Sequence, residues 1–364
     1  MIEKAGFIGL GLIGGSIAKA MKKNNLVKTI IAYDIDTTSL ELAKTEGIVD
    51  FTCAEINSDF KDCTIIFLCC PVQINIEMYK MLSSIVSTDC LITDVGSTKD
   101  DIMQQVLSIG MPIDFIGGHP MTGSEKHGYN SSSYSIFENA YYILTPSKNV
   151  NPAKLDMLSQ LVCHFQSLPI VVSSKEHDYF TAAISHVPHV LASILVSLVK
   201  NTDSEEGHMH TLAAGGFKDI TRIASACPTM WQQICLSNKT NIIKLLNTIT
   251  MQINDFIIAL ETDNFEQLYS FFDSARTYRD SFQAKTPGAL IKSYELTVDV
   301  IDEPGIIANI STLLSNHSVS IKNIGIINNR EDSEGVLEIV FYDENSLEKS
   351  IDILTKMQYV VYKH

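Results

Sequence analysis

From Lys4 to about Ile170, short apolar runs alternate with stretches of helical spacing. That is the rhythm of a parallel sheet with helices wound over both faces. The runs predict strands near 5–9, 29–33, 64–69, 90–94, 114–117, 140–144 and 169–172. After Ser173 the rhythm changes. Apolar residues recur at helical intervals to about Ser281, predicting an apolar helix around 176–200 and amphipathic ones near 238–260 and 264–282. A mostly apolar helical block needs a surface to bury against, so self-association is expected of it. Lys285-Thr286-Pro287-Gly288 reads as a linker. Beyond it the pattern predicts strand (Tyr294–Val300), helix (Gly305–Asn316), strands (Ser320–Ile327 and Val336–Phe341), helix (Ser346–Met357) and strand (Tyr359–Tyr362). This βαββαβ succession is that of a ferredoxin-like module.

Gly9-Leu10-Gly11-Leu12-Ile13-Gly14 follows the first predicted strand and opens a helix. In a dinucleotide-binding turn the first glycine makes the bend, the second admits a pyrophosphate and the third allows close strand–helix packing. N–H groups at the helix start then face the phosphates, which assigns Gly9, Gly11, Leu12, Ile13 and Gly14 to cofactor binding. By itself the motif could be an ordinary turn, but Asp34 closes the second strand, where a carboxylate accepts from ribose hydroxyls. A 2′-phosphate beside Asp34 would be repelled by about 1–4 kcal/mol at ~4 Å. Asp36 adds to the negative field and no Arg follows closely, so NAD is favoured over NADP. The expected architecture is an α/β Rossmann-like domain over 1–172, an all-α substrate and dimerisation domain over 173–286, and an α+β ferredoxin-like domain over 291–364.

Composition removes several function classes. With 364 residues and 45% hydrophobic content the chain can fill more than one core. A net charge of −15 argues against nucleic acid or an anionic membrane surface as partner, while leaving room for a local cationic pocket. The apolar stretch 5–15 is broken by glycines and lacks the layout of a signal peptide. Val187–Val199 contains Pro188 and His189 and is too short to span a bilayer, so a soluble cytoplasmic protein is expected. The eight cysteines lack zinc-ligand spacing, and Cys69-Cys70 reads as small hydrophobes closing a buried strand.

Two polar loops carry the candidate chemistry. Thr93-Asp94-Val95-Gly96-Ser97-Thr98-Lys99 follows one apolar strand, and Gly117-Gly118-His119-Pro120-Met121-Thr122-Gly123-Ser124-Glu125 follows another. Further along stand His177-Asp178, Ser185-His186-Val187-Pro188-His189, Gly215 to Ala224 with Lys218 and Thr221-Arg222-Ile223-Ala224, and Pro228-Thr229-Met230-Trp231. Together with the glycine turn these segments closely resemble the prephenate/arogenate dehydrogenase family of tyrosine biosynthesis. The last seventy or so residues resemble an ACT regulatory domain, in which the loop after the first strand reads D-x-P-G, here Asp302-Glu303-Pro304-Gly305.

The resemblance implies NAD-dependent oxidation of prephenate (or arogenate) with loss of CO2, and it implies residue roles. His119 matches the catalytic base and Ser97 a serine near both histidine and nicotinamide. Ser97 is expected to orient His119, and also suits a helix N-cap after Thr98. Arg222 matches the arginine that pairs with a substrate carboxylate, although an Arg on an amphipathic helix is more often a solvated face. His189 is assigned to substrate contact; His186, one turn away, suits contact or packing. A metal held by these two lacks a third ligand, and none is expected. Ser124 stands where many members carry Thr. Glu125 and Lys218 are expected to pair around the pocket mouth and Trp231 to wall it, though each suits a structural role. Tyrosine is the implied effector, with Asp302, Pro304, Gly305, Asn323 and Ile324 as candidate contacts; otherwise the module serves assembly. A 2-hydroxyacid dehydrogenase would carry its dinucleotide motif mid-chain, and a 6-phosphogluconate or imine-reductase type would lack the His119/Arg222 set. A non-catalytic binding protein would tolerate loss of His119, Ser97 and Arg222.

Overall fold

The computed structural model describes residues 1–123, 126–282, 294–301, 304–329 and 334–363. Two compact units divide the chain, Met1–Thr277 and Tyr278–His364. The predicted linker at 285–288 lies outside the described residues.

The first unit opens with β1 (Ile2–Ile8), α1 (Leu12–Lys23), β2 (Val27–Tyr33), α2 (Thr37–Thr45) and β3 (Phe51–Cys53). It continues with β4 (Ile65–Leu68), α3 (Val72–Ser83), β5 (Leu91–Asp94), α4 (Asp100–Ser108) and β6 (Asp114–Pro120), then β7 (Tyr141–Pro146), α5 (Pro152–His164) and β8 (Leu168–Val171). The strands form one sheet in the order β3-β2-β1-β4-β5-β6-β7-β8. Successive residues point to opposite faces, so each central strand feeds two cores. Phe7, Ile65 and Phe67 pack on one side, while Ile8, Ile66 and Leu68 pack on the other. Helices cover both faces, which is why these strands read as unbroken apolar runs.

Three details differ from expectation. The sheet is not wholly parallel: β7 pairs antiparallel with β6, and β8 runs parallel to β7. The described part of 121–140 carries short 3₁₀ turns and no crossover helix, so the chain returns from the end it left. β3 is an additional edge strand, too short to show alternation. Most consequentially, β6 does not stop at Gly117. It continues to Pro120 because β7 supplies partners, with Gly118 opposite Leu144 and His119 opposite Ile143. His119 therefore sits on a strand end, not in a loop.

The helical part comprises α6 (Ser174–Thr181), a π turn (Ala182–His186), α7 (Val187–Thr202), α8 (His208–Leu212), α9 (Gly215–Thr221), a 3₁₀ turn (Arg222–Ser225), α10 (Pro228–Ser237), α11 (Lys239–Glu261) and α12 (Phe265–Ser281). Ser173 and Glu176 cap α6 reciprocally, fixing where the helix starts. Pro188 cannot donate to the carbonyl one turn back. The π turn just before it lets the helix run on, so the helix expected around 176–200 spans Ser174–Thr202. Ser174–Thr202 and Lys239–Glu261 are each long and apolar enough to cross a membrane by length and composition alone. Few of their apolar residues are buried: Ala182, Val187 and Ala192 in the first span, Ile242 and Ala259 in the second.

The second unit has β9 (Tyr294–Ile301), α13 (Ile306–Asn316), β10 (Ile321–Asn329), β11 (Glu334–Phe341), α14 (Glu344–Lys356) and β12 (Val360–Lys363). Its sheet order is β10-β11-β9-β12, antiparallel throughout, with Leu296, Val298, Ile310, Leu314, Ile339 and Leu354 in the core. This is the ferredoxin-like α+β arrangement expected from the pattern.

Candidate active site

The glycine turn is built for close backbone approach. Gly9 adopts φ +93°, and a Cβ there would lie 2.8 Å from the Cys69 carbonyl oxygen. A Cβ on Gly14 would lie 2.5 Å from the Gly9 carbonyl oxygen, so only glycine lets α1 pack this tightly. In front of Gly11 there is open space, and no side chain caps the N-terminus of α1. Its N–H groups, those of Leu12 and Ile13 included, and the room before Gly11 together fit a pyrophosphate. Asp34, just past β2, accepts from the Leu10 N–H at 2.5 Å and the Asp36 N–H at 2.8 Å. Its carboxylate thus holds the turn, a task the sequence did not reveal. Burial pushes the Cys70 thiol up to about 11, consistent with an inert filler.

Beside this turn lies a buried polar network centred on His119. Asp94, at the end of β5, accepts from the Gly96 N–H (2.9 Å) and the Gly118 N–H (3.1 Å), and forms a fully buried ion pair with Lys99. Burial lowers the Lys99 ammonium, with Asp94 opposing. The imidazole of His119 is held from its other edge: Nδ1 lies 2.8 Å from His177 Nε2, and His177 Nδ1 lies 2.8 Å from Asp178 Oδ1. Asp178 also caps α4 from across the fold, accepting from the Lys99 N–H at 2.7 Å and the Asp100 N–H at 2.9 Å. The N-cap position of α4 is Lys99, without a capping side chain of its own. Ser97 is not the N-cap of this helix: that position is Lys99, and two N–H groups at the helix start are held by Asp178. Burial is the main reason His119 stays well below the ordinary histidine value, reinforced by His177, Lys99 and His186.

A cavity of about 440 Å³ opens onto this network. Ser97, His119, His186, His189, Arg222 and Trp231 line it, so residues from β6, α7 and the Arg222–Ser225 turn converge on one space. His189 stacks on Trp231 with ring centroids 3.7 Å apart, and His186 meets the same ring edge-on at 5.9 Å. His189 also hydrogen-bonds the backbone of Ile223, next to Arg222; burial is the largest cause of its lowered pKa. Thr122 and Gly123 line the rim, while Ser124 and Glu125 lie outside the described residues. Lys218 is exposed on α9 and is not part of the lining. In the second unit, Pro304 is exposed and Gly305 (φ +101°) precedes α13. Asn323 is exposed and Ile324 packs against the core on β10, whereas Asp302 is outside the described residues.

His177-Asp178 stood out in the sequence but was given no role; the structure places the pair behind the His119 ring. The adjacent His-Asp pair just after a capping box was the available signal, since the box fixes which way the first turn of α6 faces.

Residues 17–167 match the model of the prephenate dehydrogenase nucleotide-binding domain, and residues 173–274 that of the prephenate dehydrogenase dimerization domain. The chain belongs to the prephenate dehydrogenase family. It is 38% identical over 346 residues to a prephenate dehydrogenase of Bacillus subtilis, covering 94% of this chain and 93% of that one. It is 34% identical over 359 residues to a prephenate dehydrogenase of Lactococcus lactis, covering 98% of each. Among solved structures, prephenate dehydrogenase from A. aeolicus in complex with hydroxyphenyl propionate and NAD+ aligns with a TM-score of 0.73 and 30% identity. That alignment covers 78% of this chain and 99% of the other. The Synechocystis arogenate dehydrogenase aligns with a TM-score of 0.70 and 25% identity, covering 77% and 99%.

Proposed function

We propose that this chain catalyses the NAD-dependent oxidative decarboxylation of prephenate to 4-hydroxyphenylpyruvate, with His119 as base and Arg222 holding a substrate carboxylate. The observation that carries this reading is the convergence of His119, Arg222, His186 and His189 on one cavity in a chain of this family. Gly9, Gly11, Leu12, Ile13, Gly14 and Asp34 are the residues that would hold NAD. When bound there, NAD would supply a hydride acceptor for the ring carbon that bears the hydroxyl.

The chain's own work is proton handling and orientation. His119 is neutral at working pH because its surroundings disfavour the cation. Its imidazole takes the hydroxyl proton as the C–O bond becomes a carbonyl. The C–CO2 bond then breaks, its electron pair enters the ring, and the aromatic oxygen recovers a proton. The proton lost at the start equals the proton needed at the end, so His119 finishes each turnover as it began. Arg222 suits the dicarboxylate because a planar guanidinium pairs with both oxygens of a carboxylate.

The paired test is NADH formation from prephenate and from arogenate, each with and without tyrosine. Prephenate is the expected substrate. His119→Asn should lower kcat about 10²–10⁴-fold with NAD affinity retained, the range for a lost general base. Arg222→Ala should chiefly raise the KM for prephenate. Near-wild-type kcat in His119→Asn removes the base assignment. Tyrosine is the proposed effector through the second unit, as an ACT domain with Pro304, Gly305, Asn323 and Ile324 as contacts. An effector shifts activity only by binding two states unequally, so the assay reads a changed KM or kcat. A cytoplasmic homodimer assembled through α6–α12 completes the proposal, supported by the match to the dimerization domain.

A further inference from the structure

Two of the imidazoles that line the cavity, those of His119 and His186, each have the inner nitrogen fixed by a chain of hydrogen bonds that starts at one residue, Asp178. The first chain starts at its carboxylate. Oδ1 accepts from the Lys99 N–H and Oδ2 from the Asp100 N–H, so both oxygens serve as acceptors. His177 Nδ1, 2.8 Å from Oδ1, must then carry a proton, which leaves a lone pair on His177 Nε2. That lone pair faces His119 Nδ1 at 2.8 Å, so His119 donates there. A neutral His119 consequently has its own lone pair on Nε2.

The second chain starts at the main-chain carbonyl of Asp178, 2.6 Å from the side-chain amide of Asn238. A carbonyl only accepts, so the amide atom there is nitrogen, and Asn238 Oδ1 is separately occupied by Asn241 Nδ2 at 2.8 Å. The same Asn238 nitrogen lies 3.2 Å from His186 Nδ1. His186 must accept there and keep its proton on Nε2.

We propose that Asp178 is a positioning residue that sets opposite tautomers in the imidazoles of His119 and His186, making His119 a proton acceptor and His186 a neutral hydrogen-bond donor to substrate. The proposal rests on the reading of His119 as base. One residue thus gives the cavity a site that removes a proton and a site that gives a hydrogen bond, without placing a second cation beside the base. Burial holds both rings below the ordinary histidine value, so the division persists at neutral pH.

The test is long-range 1H–15N correlation NMR on the full-length protein carrying 15N-histidine, with His119→Gln and His186→Gln identifying the two signals. His119 is expected as the Nδ1–H tautomer and His186 as Nε2–H. Either ring in the other form overturns the proposal, and this reading needs no turnover, so it is separable from failure of the base assignment. Two substitutions then cut the branches one at a time. His177→Phe should release His119 towards Nε2–H and lower kcat at least ~10-fold, within the range of general-base effects, with KM and NAD affinity kept. Asn238→Leu should raise the KM for prephenate at least ~5-fold with kcat nearly kept, as loss of one hydrogen bond of about 1 kcal/mol implies. Equal loss of kcat and KM effects in both variants, with wild-type tautomers unchanged, would also overturn it.

Discussion

Burial takes His186 from its ordinary value of 6.5 to about 4; Asp178 opposes the change, and His177 and His189 add to it. In the unfolded chain the same ring titrates near 6.5. Between these values the unfolded state binds a proton that the folded state does not. Stability is therefore complete above about pH 6.5 and is lost as pH falls through 4. For this ring alone the loss is about 3 kcal/mol. Urea midpoints at pH 7.0 and pH 4.5 should differ markedly in the wild type and less in His186→Gln. An unchanged pH dependence in that variant would mean other groups carry the acid sensitivity.

At the scale of elements, β6 decides where His119, the proposed base, stands. Most strands and the long helices were legible, because buried parallel strands are continuous apolar runs and amphipathic helices keep their period; β3 and the short α8, α9 and α10 gave no such run. The extension of β6 was not, since Gly117-Gly118-His119-Pro120 has no apolar signal and becomes strand only because β7 pairs with it. The same holds for the tie that orients His119: its partner His177 lies 58 residues away, a contact no local pattern encodes. What the family motifs did indicate was the set that meets at the cavity, His119 with Arg222 and His189. Gly118 shows how tightly the strand end is held. A Cβ there would lie 2.6 Å from the Asp94 carbonyl oxygen and 3.1 Å from the Tyr142 ring, while its N–H is bound to Asp94. Gly118→Ala should displace His119 and cut kcat by ~10²-fold, the scale of a 1 Å misplacement. The KM for NAD should change little, because the glycine turn at residues 9–14 is a separate contact. An alanine variant with full kcat would show that β6 tolerates movement without moving His119.

For the molecule as a whole, the helical block raises a packing problem that one chain does not solve. Ile194 and Leu198 on α7, Ile243, Met251, Ile253 and Ile257 on α11, and Phe272 on α12 are all exposed. Exposed apolar residues at this density exceed the scattered ones normal on a monomer and mark an interface. The chain's charge of −15 would repel a second copy at long range, so apolar burial has to supply the association. Each fully buried Ile, Leu or Phe side chain contributes about 1.5–3 kcal/mol. Several such residues on each side exceed the cost of joining two chains. Sedimentation equilibrium should give twice the 40.3 kDa chain mass, and Tm should rise with protein concentration, as linkage requires of a dimer. Replacing Ile253 and Ile257 together by Lys puts two charges into that face. The variant should sediment as a monomer with a Tm independent of concentration, whereas a dimer unaffected by both lysines would place the interface elsewhere.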